Sequence, residues 1–263
     1  MNEAVDELEL ERNPIMKVKG LDTSNHVTFT EEEPNALTHE EVRLFLAAMR
    51  DRHPQHFAMV ALGFATGWRP SMMRPLRRQG PKADIVWERN IVLARRSHTR
   101  GDTVKEVTKN GTRFHLTLPP DLMNILRWHS DGLPLGAMRE SALLFPSETG
   151  GFRSQTLLGK PFEDVCKHLK LKKRVTPKGM RRTFQDLARH VGVAGLIQRN
   201  ICGHLTEEMT ELYSSVGQTE VEAALEKVIS LAGYAQLSES VRGGGKVVGN
   251  DIPDQDTPKK EAA

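Results

Sequence analysis

An α+β architecture, mostly helical with one small antiparallel β-sheet, follows from three features of this 263-residue sequence. Apolar residues recur at helical spacing from Leu37 to Thr66 and again from Pro120 to Leu231. Between Asp84 and Leu118 the period changes to short β-prone pieces separated by polar breaks. One of those breaks is Asn110-Gly111, the strongest short hairpin signal a sequence can carry.

The elements are expected in the following order. Residues 1–35 lack hydrophobic periodicity and end in Glu31-Glu32-Glu33-Pro34, which predicts a flexible acidic arm. A first helix starts at Thr38, where Glu41 three residues later completes a capping box, and it buries Val42, Phe45 and Leu46. A second, from about Gln55 to Thr66, is apolar nearly all round and should be buried. Four strands are expected over 84–87, 91–96, 103–108 and 113–118, the last two joined at Asn110-Gly111. Helices then follow over 120–129, 157–169, 177–191, 194–202, 207–214 and 219–231. Past Gly233, the Gly243-Gly244-Gly245 run and the Asp/Pro/Lys mix predict a disordered tail over 235–263. The folded part is thus expected to span 36–234.

Composition narrows the partners. The net charge of +3 hides an uneven distribution: residues 1–35 carry −6 and the tail from Leu237 carries −1, leaving +10 on the body. A basic body between acidic ends suits a polyanion. Residues 160–189 hold ten Lys and Arg against three acids, among them Lys172, Lys173, Arg174 and Arg182. That run is a candidate duplex-DNA backbone track, since few aromatics interleave it. No apolar run reaches the ~20 residues needed to span a bilayer, and two cysteines make no disulfide framework, so a cytosolic protein with no membrane partner is expected. Cys166-x-His168 and Cys202-x-His204 lack zinc-site spacing. There is no phosphate-binding glycine loop and no paired-carboxylate pattern for two-metal hydrolysis.

The chemistry-bearing residues form an ordered set. Thr66-Gly67-Trp68-Arg69 places an arginine where a buried helix stops at glycine. Thr108-Lys109-Asn110-Gly111 places a lysine beside a hairpin turn, with Lys105 as a rival four residues earlier. Thr176-Pro177 opens a helix on which Lys178 and Arg181 share a face near the N-terminus, an arrangement suited to an anion. Gly203-His204 closes a helix, and Tyr213 follows nine residues after His204. Taken singly, Arg69, Lys109 and Tyr213 each read better as a solvated or packing residue. Together, arginine forks, a lysine, a histidine and a phenol can attack a phosphodiester without metal.

In order and spacing this set resembles the tyrosine recombinases, or phage integrase family, from about Leu37 to Leu231. The match is strongest at Arg181-Arg182-Thr183-Phe184 and at Gly203-His204 with Tyr213. The resemblance implies the recombinase catalytic-domain fold and a site-specific recombinase that cuts duplex DNA by tyrosine attack. A 3′-phosphotyrosine forms, and a partner strand's 5′ hydroxyl reverses it, with no cofactor. Tyr213 would be the nucleophile and Lys109 the acid for the departing 5′ oxygen. Arg69, Arg181, Lys178 and His204 would stabilise the phosphorane.

The sequence also departs from the family. Met72-Met73 stands where an acidic residue and leucine usually follow the first arginine, and Lys178 stands where a histidine is usual. Only about 35 unpatterned residues precede Leu37, so no core-binding domain is expected and DNA binding should lean on a partner or accessory protein. Assembly as a tetramer on DNA is implied, with helix 219–231 (Val221, Leu225, Val228 and Ile229 on one stripe) the candidate docking element, packing of that stripe on its own domain being the alternative. Two alternatives remain open: a DNA-binding or regulatory protein that has lost strand exchange, and a type IB topoisomerase-like enzyme.

Overall fold

A computed structural model describes residues 35–98, 104–105, 114–203 and 217–243. The chain divides into units 1–34 and 35–263, and every described residue belongs to the second. Its helices are α1 (His39–Arg52), α2 (Pro54–Thr66), α3 (Pro70–Met73), α4 (Pro120–Asp131), α5 (Ala137–Glu140), α6 (Gly159–His168), α7 (Pro177–His190), α8 (Gly195–Ile201), α9 (Gln218–Leu231) and α10 (Tyr234–Gly243). The strands are β1 (Ile85–Val86), β2 (Ile91–Ala94), β3 (Ser97–His98), β4 (Val104–Lys105) and β5 (Phe114–Thr117). The expected α+β class, mostly helical with a small antiparallel sheet, is what the chain adopts.

Helix α2 is the axis of the molecule. Every residue from Phe57 to Thr66 is buried, as its all-round apolar sequence requires. Helices α1, α4, α7 and α9 pack around it. Phe45 of α1 meets Phe64 and Phe162 edge-on at 5.7 and 5.1 Å, an arrangement favoured by the ring quadrupoles. The α1 capping box forms as expected: Glu41 N–H donates to Thr38 Oγ1, and Thr38 N–H donates to Glu41 Oε2.

The strands differ from expectation in their pairing. β2 is the central strand of a three-stranded antiparallel sheet, with Ile85 opposite Val92 and Leu93 opposite His115. β5 therefore pairs with β2, and β4 pairs with β3 in a separate two-stranded piece. The Asn110-Gly111 turn lies outside the described residues. β2 stops at Ala94 because Arg95 and Arg96 both turn onto buried Asp84, at 2.7 and 2.5 Å. Asp84 also accepts from the Arg77 N–H, so it receives three donors at the sheet edge.

One further expectation is corrected. The predicted tail over 235–263 begins too early, because Tyr234–Gly243 is helix α10. Tyr234, Leu237 and Val241 form a buried stripe against α4, and the Tyr234 hydroxyl donates to Ala61 O of α2 at 2.6 Å. The glycine run that signalled disorder lies at and beyond the end of that stripe. Helix 219–231, the candidate docking element, packs its stripe within its own domain, the alternative the sequence left open. Val221, Ala224, Leu225, Val228 and Ile229 are buried, and α9 packs on α2, α7, α8 and β5. Among the described residues no helix is long and apolar enough to cross a membrane.

Candidate active site

The C-terminal end of α2 is built to hold a tight turn. Gly67 adopts φ +66°, and a Cβ there would lie 2.9 Å from both Phe184 Cδ1 and Cys202 Sγ. Only glycine satisfies the left-handed conformation and the close approach together. Thr66 Oγ1 donates back to Leu62 O and accepts from the Trp68 N–H. The Trp68 ring is fully buried, and its Nε1–H donates to Ile201 O of α8 at 2.8 Å. This lashes the turn to the end of α8 and leaves the next residue, Arg69, exposed at the start of α3. Met72 and Met73, at the positions of the missing acid and leucine, are core residues.

Helix α7 brings the second arginine to the same place. Thr176 caps it by accepting from Gly179 N–H, and Pro177 occupies its first turn. Gly179 lets the backbone at Asn35 cross the helix, since a Cβ would sit 2.7 Å from Asn35 O. Lys178 points to solvent. Arg181 is half-buried: its Nε donates to Gly67 O at 2.7 Å and its Nη2 to Cys202 O at 2.6 Å. One guanidinium thus satisfies a terminal carbonyl at each of two helix ends, α2 and α8.

Electrostatics ties these groups together. Burial lowers the pKa of Arg181; the Cys202 thiol opposes that shift and Arg69 adds to it. An arginine keeps its proton under such a shift. Burial raises the Cys202 thiol to about 11, against the pull of Arg181 and Arg69, so it stays protonated and unreactive at neutral pH. Arg69, Arg181 and Cys202 therefore share one electrostatic neighbourhood. Gly203 leaves α8 in the left-handed conformation, as the sequence leads one to expect.

Lys109, His204 and Tyr213 lie outside the described residues, as does the expected helix 207–214. Among the DNA-track candidates, Lys172 and Arg174 are exposed. Lys173 is held 2.5 Å from Glu41, the carboxylate that caps α1, and Arg182 reaches Asn35 Oδ1 at 3.5 Å. No group of three or more metal-ligating side chains occurs among the described residues. Two features escaped the sequence reading: Trp68 as the tie between two helix ends, and a His56–Arg153 contact at the far end of α2. His53-Pro54-Gln55-His56 was the available signal for the second.

This fold is that of the tyrosine recombinase catalytic domain. A structure of the Tn1549 transposon integrase in complex with a circular intermediate DNA aligns with a TM-score of 0.56 and 19% identity, over 81% of this chain and 70% of that one. A second, in complex with transposon right end DNA, aligns with a TM-score of 0.56 and 18% identity, over 86% and 75%. No protein-family model matches the chain, and no curated protein matches it.

Proposed function

We propose that this protein is a tyrosine site-specific recombinase that breaks and rejoins duplex DNA through a 3′-phosphotyrosine. The observation that carries the reading is Arg181, locked between Gly67 and Cys202 beside Arg69 on a recombinase fold. Two guanidiniums there suit the non-bridging oxygens of a scissile phosphate, and Arg181, held by two carbonyls, needs no reorganisation as charge develops. Tyr213 attacks phosphorus while its proton leaves to solvent or a neighbouring base. The 5′ oxygen departs with a proton from Lys109, and His204 and Lys178 add positive charge. Attack by a partner 5′ hydroxyl then expels the tyrosine, so atoms balance without metal or nucleotide. Residues 36–243 act as the catalytic domain, on an assembly whose contacts lie away from the stripe of α9. Lys172, Arg174 and Arg182 add backbone contacts to the duplex.

A second reading is favoured by one observation: Lys178 stands where the family has a histidine, and it is exposed. On that reading the chain binds DNA without exchanging strands. Covalent capture separates the two. Protein isolated from its host under denaturing conditions is expected to carry DNA joined through its 3′ end, and Tyr213→Phe to carry none. Well-expressed protein without linked DNA, from cells in which native crosslinking recovers DNA, would establish the binding-only reading.

A further inference from the structure

The other end of α2 opens into a cavity of about 590 Å³ between the first turn of that helix, the 132–138 turn and the 147–157 loop. None of the chemistry above uses it. Leu133, Met138 and Leu157 supply an apolar wall, and His56, His129 and Arg153 a polar one. Arg153 is half-buried; its Nε donates to Pro146 O at 2.8 Å and its Nη1 to His56 Nδ1 at 2.9 Å. Among the described residues its Nη2 has no hydrogen-bond partner, and no carboxylate lies within ion-pair distance.

The two imidazoles contribute no charge. His56 accepts from a guanidinium, and burial with the neighbouring Arg153 pushes its pKa to about 3. His129 donates Nε2–H to Leu144 O, and burial with Arg153 pushes it to about 4. The guanidinium is therefore the cation of the cavity over the whole neutral range. Exposed Glu148 stands on the rim, where its charge acts on Arg153 and opposes the effect of burial, so a bound anion must share the guanidinium with it. A pocket of this size with one half-buried cation and an apolar wall matches a small amphipathic ligand.

We propose that this cavity binds a small organic monoanion, a carboxylate or phosphate ester on an apolar body. Arg153 Nη2 pairs with the anion, and Leu133, Met138 and Leu157 enclose the body. The occupant bridges three segments to a helix whose far end, Thr66, lies about 15 Å from His56 at 1.5 Å of rise per residue. This site stands independently of the strand-transfer reading.

Titration of the full chain with benzoate and phenyl phosphate, against neutral benzyl alcohol, tests it by calorimetry or ligand-observed NMR. At least one anion is expected to bind below millimolar concentration, and benzyl alcohol at least tenfold more weakly. Arg153→Met should weaken the anion tenfold or more. Met138→Trp, at a half-exposed position that tolerates bulk, should exclude it with the fold intact by circular dichroism. Failure of both anions to bind wild type overturns the proposal. So does equal binding of the neutral analogue, or binding unchanged in both folded variants. Displacement of phenyl phosphate by duplex DNA would also overturn it, by making Arg153 part of a DNA interface.

Discussion

The two ends of α2 solve the same problem in opposite ways. Each places an arginine on backbone carbonyls and on a residue of the helix terminus. At the C-terminal end Arg181 bonds Gly67 and Cys202, and the exposed cations Arg69 and Lys178 stand beside it. At the N-terminal end Arg153 bonds Pro146 and His56, and the surrounding histidines are kept neutral. One end concentrates positive charge on the surface, where a large anion can reach it. The other sets a single cation in a recess with Glu148 at its rim. The same guanidinium chemistry thus serves a polyanion or a small ligand, according to what surrounds it.

The sharpest way to break this contrast is at Gly67. Gly67→Ala combines left-handed strain with contact against Phe184 and Cys202, and should cost roughly 2–5 kcal/mol in urea unfolding. Gln55→Ala, on an exposed site at the opposite end, should stay within about 0.5 kcal/mol. Equal, small effects would show that the C-terminal turn is not locked.

Acid should act mainly at the opposite end. His56 and His129 have folded pKa values near 3 and 4, below the ordinary 6.5, so protons bind the unfolded chain preferentially. Their contribution is fully present above pH 6.5 and is lost as pH falls towards 4, by at most about 1.4 kcal/mol per pH unit for each group. Urea midpoints at pH 7 and pH 5 should differ accordingly, and His129→Gln should flatten the slope. A slope unchanged by that substitution would place the acid sensitivity elsewhere.

The smallest effect concerns the helix that delivers Arg181. Thr176→Ala removes the cap on Gly179 N–H and should cost about 1 kcal/mol. It should also lower the yield of covalent DNA adduct by misplacing the first turn of α7. Stability loss without a change in adduct would separate the cap from the positioning of Lys178 and Arg181.

What could be read from sequence was local. The Thr38–Glu41 box, the start of α7 at Thr176-Pro177 and the glycines ending α2 and α8 are each fixed within one turn of chain, and each stands where expected. What escaped depends on partners far away. Strand β5 chose β2 over β4 through pairing that no turn signal encodes. Arg153 meets His56 across 97 positions, and Trp68 meets Ile201 across 133. The stripe of α10 was overlooked because three spaced apolar residues were outweighed by the glycines that follow. For the candidate site, the motif put Arg69 and Arg181 in the frame, but only the fold revealed that backbone carbonyls hold Arg181.

The Tyr234 hydroxyl, bonded to Ala61 at the heart of α2, bears on how the protein is made. The bond joins positions 173 apart in the chain. During synthesis α2 emerges early, with an almost wholly apolar surface and no α9 or α10 to cover it. The nascent chain must wait until the ribosome has passed residue 241 before that surface can be sealed. Its vulnerability to chaperone capture and aggregation should therefore be greatest late in translation.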